Sequence, residues 1–179
     1  DISLDMAYFS IKKQMLSNPK IEIKSSFKNK FLAVLSWILL ASMWIYLIQL
    51  YPQLPERIPI HYNSIGHPDS YGSRNNIFIL VGIASILQII FGLMIKHPDQ
   101  LTYIKKITVV NAASQYRNTI NLCEYLRIAC IVLFFCIEYQ GIQNAINDEN
   151  LLGHYFVPFV AILFLIPNIY FVYKAAKLD

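Results

Sequence analysis

Charged side chains are scarce: Lys, Arg, Asp and Glu make up 15% of the 179 residues against 56% hydrophobic residues, and the mean hydropathy is positive. A soluble domain of this length has no use for that much apolar surface, so the excess must face lipid. Catalytic signatures are missing too. No Ser sits in a Gly-x-Ser-x-Gly elbow and no His-Glu-x-x-His occurs, while the adjacent Asp148 and Glu149 read as a solvated turn. The chain is therefore not expected to be an enzyme. Cysteine is confined to Cys123, Cys130 and Cys136, all in one apolar segment, which excludes a disulfide framework within that helix. At about 100° per residue Cys123 and Cys130 share a face and Cys136 points away, as buried free thiols would.

What is present is a set of long apolar runs. Phe31–Tyr51, Asn75–Ile95 and Asn150–Tyr173 carry no Asp, Glu, Lys or Arg, and each supplies the roughly 20 helical residues that a hydrocarbon core of about 30 Å requires. A further segment holds only Ile128–Ile137 between Arg127 and Glu138. Such a run covers only about 15 Å in helix, so it must carry ionisable groups into the membrane. The reading is an all-α polytopic membrane protein with four spans, near 31–51, 75–95, 119–139 and 150–173. Residues 1–30 form a cytoplasmic N-terminal segment and 31–179 a single membrane domain.

Charge placement sets the orientation. Every lysine and Arg117 fall on one side of the four-span arrangement, and only Arg57 and Arg74 on the other. Both termini are expected in the cytoplasm (N-in/C-in) and the loop 52–74 outside. A three-span arrangement would place Lys174 outside and is disfavoured. With the loop charges assigned to topology no basic face remains, so nucleic acid is not an expected partner. The first thirty residues show no cleavable leader pattern, and Asp1 reads as a processed or truncated start. Ile2, Met6, Phe9 and Leu16 share a helical face that could rest on the inner leaflet, with a solvated tail as the plainer reading.

The segment Tyr51–Arg74 is patterned rather than arbitrary. Pro52, Pro55 and Pro59 favour an extended course, and Ile58, Ile60 and Tyr62 alternate with Pro59, His61 and Asn63 as in a short strand with two faces. Gly66, His67, Pro68 and Asp69 read as a turn, and Ser70, Gly72 and Ser73 lead to Asn75 as N-cap of the second helix. An ordered loop folded over the bundle follows. His61, His67, Asp69 and Glu56, with His154 nearby, offer metal-ligand types, but their spacing matches no ligand pattern. His61 and Asn63 are read instead as hydrogen-bonding pins, and no metal or cofactor is expected.

Within the spans, Gln88 lies between Ala84 and Gly92 at i±4, a polar residue in a small-residue seam. Glu124 and Arg127 are neighbours on one helix face, read as an interfacial pair with Arg127 snorkelling that anchors the third helix and a cytoplasmic extension of it from near Thr108, or else as a polar contact with another helix or a peptide. Pro158 and Pro167 suggest kinks whose freed carbonyls need partners.

The stretch from Leu54 to Asn63, LPERIPIHYN, followed by Gly66, Pro68-Asp69 and Tyr71-Gly72-Ser73, resembles the signature of a bacterial membrane domain of unknown function. That domain also forms the N-terminal half of SdpI-type bacteriocin-immunity proteins. Asn111-Ala112 and Gln115-Tyr116-Arg117 resemble short stand-alone members of the same group. His67 departs from the acidic residue common there, and the immunity proteins proper carry further spans. The resemblance implies a bacterial cytoplasmic-membrane protein that protects against membrane-active peptide toxins. Pro55, Pro59, His61, Asn63, Gly66, Pro68, Asp69, Tyr71 and Gly72 would form the binding loop, and Gln88, Arg117, Glu124 and Arg127 an intramembrane or interfacial polar set. Implied partners are the lipid bilayer, a peptide toxin or membrane protein at the outer loop, a cytosolic protein at the basic loops, and a second copy in a homo-oligomer. The competing class is a small transporter or channel-like subunit.

Overall fold

The computed structural model describes residues 18–63, 67–147 and 155–178. Among these, four helices are long and apolar enough to cross a bilayer, which makes the chain a multi-pass membrane protein. The expected inner-leaflet face at Ile2–Leu16, the turn residue Gly66, the pair Asp148 and Glu149, and His154 lie outside the described residues.

Helix α1 spans Phe27–Leu50, starting before the expected residue 31 because Ser26 caps it: extended at φ −76°, its Oγ accepts the Asn29 N–H at 3.2 Å. Leu50 passes into a short 3₁₀ turn, Tyr51–Gln53, in which Pro52 takes an early position that costs no hydrogen bond. The extended course expected from Pro52 begins instead at Leu54. Strands β1 (Arg57–Tyr62) and β2 (Pro68–Ser73) form an antiparallel hairpin. A second 3₁₀ turn, Arg74–Asn76, then leads to α2, Ile77–Lys96. Here the expected N-cap moves: Asn75 is the capped residue, its N–H donating to Ser73 Oγ at 3.3 Å.

Helix α3 runs Ala112–Asn147, past the expected span 119–139 at both ends: the cytoplasmic extension expected from near Thr108 starts at Ala112, whereas the continuation at the other end is a departure. Its start is fixed by reciprocal bonds, with the Thr108 N–H donating to Asn111 Oδ1 at 2.9 Å and the Asn111 N–H to Thr108 Oγ1 at 3.3 Å. At its other end, residues 140–147 continue the helix where a loop was expected. Ile142 is fully buried there, with Ala145 and Ile146 packed beside it on the core. Its 36 residues reach about 54 Å, well past a core of about 30 Å.

Helix α4 covers Phe156–Lys177 without interruption. Pro158 lies in its first turn, where no earlier helical carbonyl loses a partner, so the expected kink there is unnecessary. Pro167 is internal and does free one, the carbonyl of Leu163.

The core joins Leu40, Met43 and Leu47 of α1, Val81 and Ala84 of α2, and Ile131 and Ile142 of α3, with Leu54 and Ile58 sealing the hairpin end. Helix α3 packs against α1, α2, α4 and β1, whereas α4 rests chiefly on α3 and buries no residue fully. Chain direction gives the bundle two ends. One carries the hairpin, Arg57 and Arg74; the other carries the starts of α1 and α3, the ends of α2 and α4, and the described lysines.

Candidate functional site

The hairpin stands on two feet that are tied together. The Arg74 N–H donates to the Glu56 carbonyl at 3.0 Å, and Arg74 Nη1 to the Leu54 carbonyl at 3.2 Å, while its guanidinium sits 5.0 Å from the centre of the Tyr51 ring. The Tyr51 hydroxyl donates to Asn75 Oδ1. Leu54 and Ile58 are 3% and 1% exposed, so the base of this element is anchored in the core.

Above that base the two strands are irregular, and the irregularity shapes the exposed surface. Pro59 pairs with Tyr71 but His61 with Ser70, leaving Ile60 as an extra residue; Tyr62 then pairs with Pro68, leaving Asp69 as an extra residue on the other strand. The simple two-faced alternation therefore breaks: Ile58 and Pro59 are both buried and Ile60 is exposed. The paired bulges bring His61 Nδ1 to 2.5 Å from Asp69 Oδ1 on the open surface. Asn63 closes the tip, donating its N–H to the His67 carbonyl at 2.9 Å and accepting the His67 N–H at 3.0 Å. Gly72 sits in a crowded spot, where a Cβ would lie 2.7 Å from Asn76 Nδ2 and 2.9 Å from Ile60 Cδ1, so a larger residue would have to displace those side-chain ends. Burial pushes the Tyr62 phenol up to about 12, with Tyr71 adding to the shift.

Between the hairpin and the last turn of α3 lies a cleft of about 430 Å³ edged by Arg57, Pro59, Tyr71, Asn144 and Asn147. Of the expected loop residues, Pro59, His61, Asn63, Pro68, Asp69, Tyr71 and Gly72 meet in this hairpin. Pro55 lies in the exposed approach to it. Among the described residues, no group of three or more His, Cys, Asp or Glu side chains is placed to hold a metal ion.

The polar residues of the spans form a separate set. Gln88, 2% exposed, donates from Nε2 to Ser36 Oγ at 2.9 Å across the α1–α2 contact. Ala84 is fully buried in that seam, but Gly92 has nothing within 4 Å of where its Cβ would stand, so the seam ends at Gln88. Arg127 and Glu124 are ion-paired and only 5% and 2% exposed. That corrects the snorkelling reading: the guanidinium is enclosed by the bundle. Arg117 lies apart from these, exposed at the lysine end.

The residues Asn111, Gln115, Tyr116 and Arg117 divide their work. Asn111 caps α3, and Gln115 Nε2 serves the terminal carbonyls of α4, Ala175 at 2.9 Å and Leu178 at 3.1 Å. The Tyr116 hydroxyl holds the chain ahead of α1 through the Pro19 carbonyl at 2.8 Å.

Sequence reasoning left Glu138 without a role. It is fully buried on α3, and neither carboxyl oxygen has a partner among the described residues. Its place at the edge of the short apolar run was the signal for it. Gln143 and Tyr46, joined at 2.9 Å, were also not singled out.

Residues 38–84 match the family described as "Domain of unknown function (DUF1648)". That stretch takes in the second half of α1, the whole hairpin and the start of α2. An uncharacterized protein of the archaeon Archaeoglobus fulgidus is 34% identical over 89 residues, 50% of this chain and 44% of that protein. The chain thus spans less than half the length of this relative. No solved structure matches.

Proposed function

We propose that the chain is a membrane-embedded recognition module, with the hairpin and its cleft as the binding surface. One observation carries the proposal: exposed polar side chains stand on a rigidly founded element. His61 and Asp69 keep 68% and 42% of their side-chain surface exposed while Leu54 and Ile58, a few residues away, are locked in the core. Recognition asks for such a combination, because a ligand then meets groups already held in place. The stretch matched by the domain of unknown function centres on this same element, which supports looking there first.

The ligand class is suggested by the likeness to the immunity group: a membrane-active peptide toxin approaching from outside a bacterial cytoplasmic membrane. The N-in/C-in orientation that exposes the hairpin outward rests on the positive-inside bias. Expression in toxin-sensitive cells tests the reading, comparing the unmodified chain with a His61→Ala, Asn63→Ala variant at equal membrane abundance. Protection that the variant loses supports it; absence of protection by the unmodified chain across a panel of membrane-active peptides overturns it.

Glu138 favours a second reading, a small transporter subunit, because an enclosed carboxyl within a span is a feature of ion pathways. Solute flux into proteoliposomes that Glu138→Gln abolishes and the hairpin variant leaves intact would favour it.

A further inference from the structure

At the lysine end, a cavity of about 770 Å³ opens between the segment preceding α1, the first turn of α1, the last turn of α2 and the start of α3. Four cations line it: Lys24, Lys28, Lys96 and Arg117. Among the described residues no acidic one lines it, and none of the four side chains makes a hydrogen bond or ion pair. Four like charges around one cavity repel each other, and no acidic side chain among the described wall residues offsets them.

The first turn of α1 adds to the imbalance. Its amide groups form the positive end of the helix dipole, where carboxylates are favoured, yet that turn holds Lys28 and Lys30 and no acid. The Ser26 side chain satisfies only the Asn29 N–H, and its carbonyl takes the Lys30 N–H. Ile23, Ile95 and Ile120 supply an apolar side to the same cavity, and Ile95 lies in the last turn of a membrane-spanning helix.

We propose that this cavity binds a phosphate ester, the headgroup of an anionic phospholipid, with the phosphate held by Arg117, Lys96, Lys28 and Lys24. The glycerol and upper acyl chain would lie along Ile95 and Ile120. A guanidinium presents paired donors to phosphate oxygens, and basic pockets between helices at the membrane boundary suit lipid headgroups. The cavity is also larger than a free phosphate ion needs. This site is independent of the hairpin and stands whether or not the hairpin binds a toxin.

The test uses the full chain purified in a neutral detergent, with native mass spectrometry reading retained lipid after exposure to mixed vesicles of phosphatidylcholine and phosphatidylglycerol. Selective retention of phosphatidylglycerol is expected, reduced roughly tenfold in Arg117→Gln, Lys96→Gln and unchanged in Lys106→Gln, a lysine outside the cavity. Unchanged thermal unfolding of the variants excludes loss of fold as the cause. Inorganic phosphate in the competing arm should not displace the lipid. Displacement together with direct phosphate binding would uphold the phosphate chemistry and overturn the lipid as its source. Equal retention of both lipids, or retention untouched by the double substitution, overturns the proposal.

Discussion

The Tyr125 hydroxyl donates to the Leu163 carbonyl at 2.8 Å, and that carbonyl is the one left open by the missing N–H of Pro167. A proline inside a membrane helix is thereby answered from the neighbouring helix. Tyr125→Phe should lower stability by about 1 kcal/mol. Adding Pro167→Ala, which returns an N–H to Leu163, should remove most of that loss in a double-mutant cycle of unfolding in detergent. Equal losses with and without Pro167 would show the hydroxyl to be incidental.

The Ser36–Gln88 bond gives a second cycle. Gln88 Oε1 already has no partner among the described residues, so Ser36→Ala would leave both ends of a buried amide unserved, at about 1–3 kcal/mol. Gln88→Met in the same chain should return most of that stability. Denaturant titration of Ser36→Ala, Gln88→Met and the double variant reads the difference.

Breaking the Glu124–Arg127 pair should be far harsher than deleting it. Arg127→Met alone leaves an enclosed carboxylate and is expected to cost about 3–5 kcal/mol. The Glu124→Leu, Arg127→Met double variant should lose much less, with folded yield from membranes following the same order. A single variant as mild as the double would mean that the pair is solvated.

Alkaline pH addresses the hairpin. The ordinary tyrosine value is 10.0, and burial pushes Tyr62 up to about 12. Between these values the unfolded chain releases a proton that the folded chain keeps. Stability should therefore be flat below pH about 10 and fall as pH rises toward about 12. Tyr103, raised by burial to about 12 outside the spans, adds a parallel step. Tyr62→Phe should shrink the slope while costing little near neutral pH, because its hydroxyl has no partner among the described residues. Phenolate absorbance and unfolding measured together check this; a normal titration of Tyr62 would contradict its burial.

Apolar runs free of charge made α1 and α2 legible, because in lipid a chain must satisfy its own backbone and helix is the simplest solution. The hairpin end of α3 was read too short for a physical reason: much of what this helix buries is polar. Gln115, Asn118, Glu124, Arg127, Glu138, Gln140 and Asn144 all turn inward, so hydropathy marked only its middle. Of the site, the extended character of Arg57–Tyr62 could be read from its prolines and alternation. The pairing of His61 with Asp69 could not, since it depends on two bulges whose register is a property of the folded hairpin.

The central position of α3 also bears on the order in which the helices are assembled. Within the spans, α1 and α2 are joined by the Ser36–Gln88 clasp, the Trp44–Ser85 bond and the Trp44–Phe78 ring contact, but most of what each of them buries is completed by the third helix. The third helix, in turn, brings a column of polar groups that lipid would penalise unless those two were already waiting as a template. The docking of α3 is what completes the core, and removal of α4, which buries no residue fully, should leave the hairpin and the first three helices able to assemble.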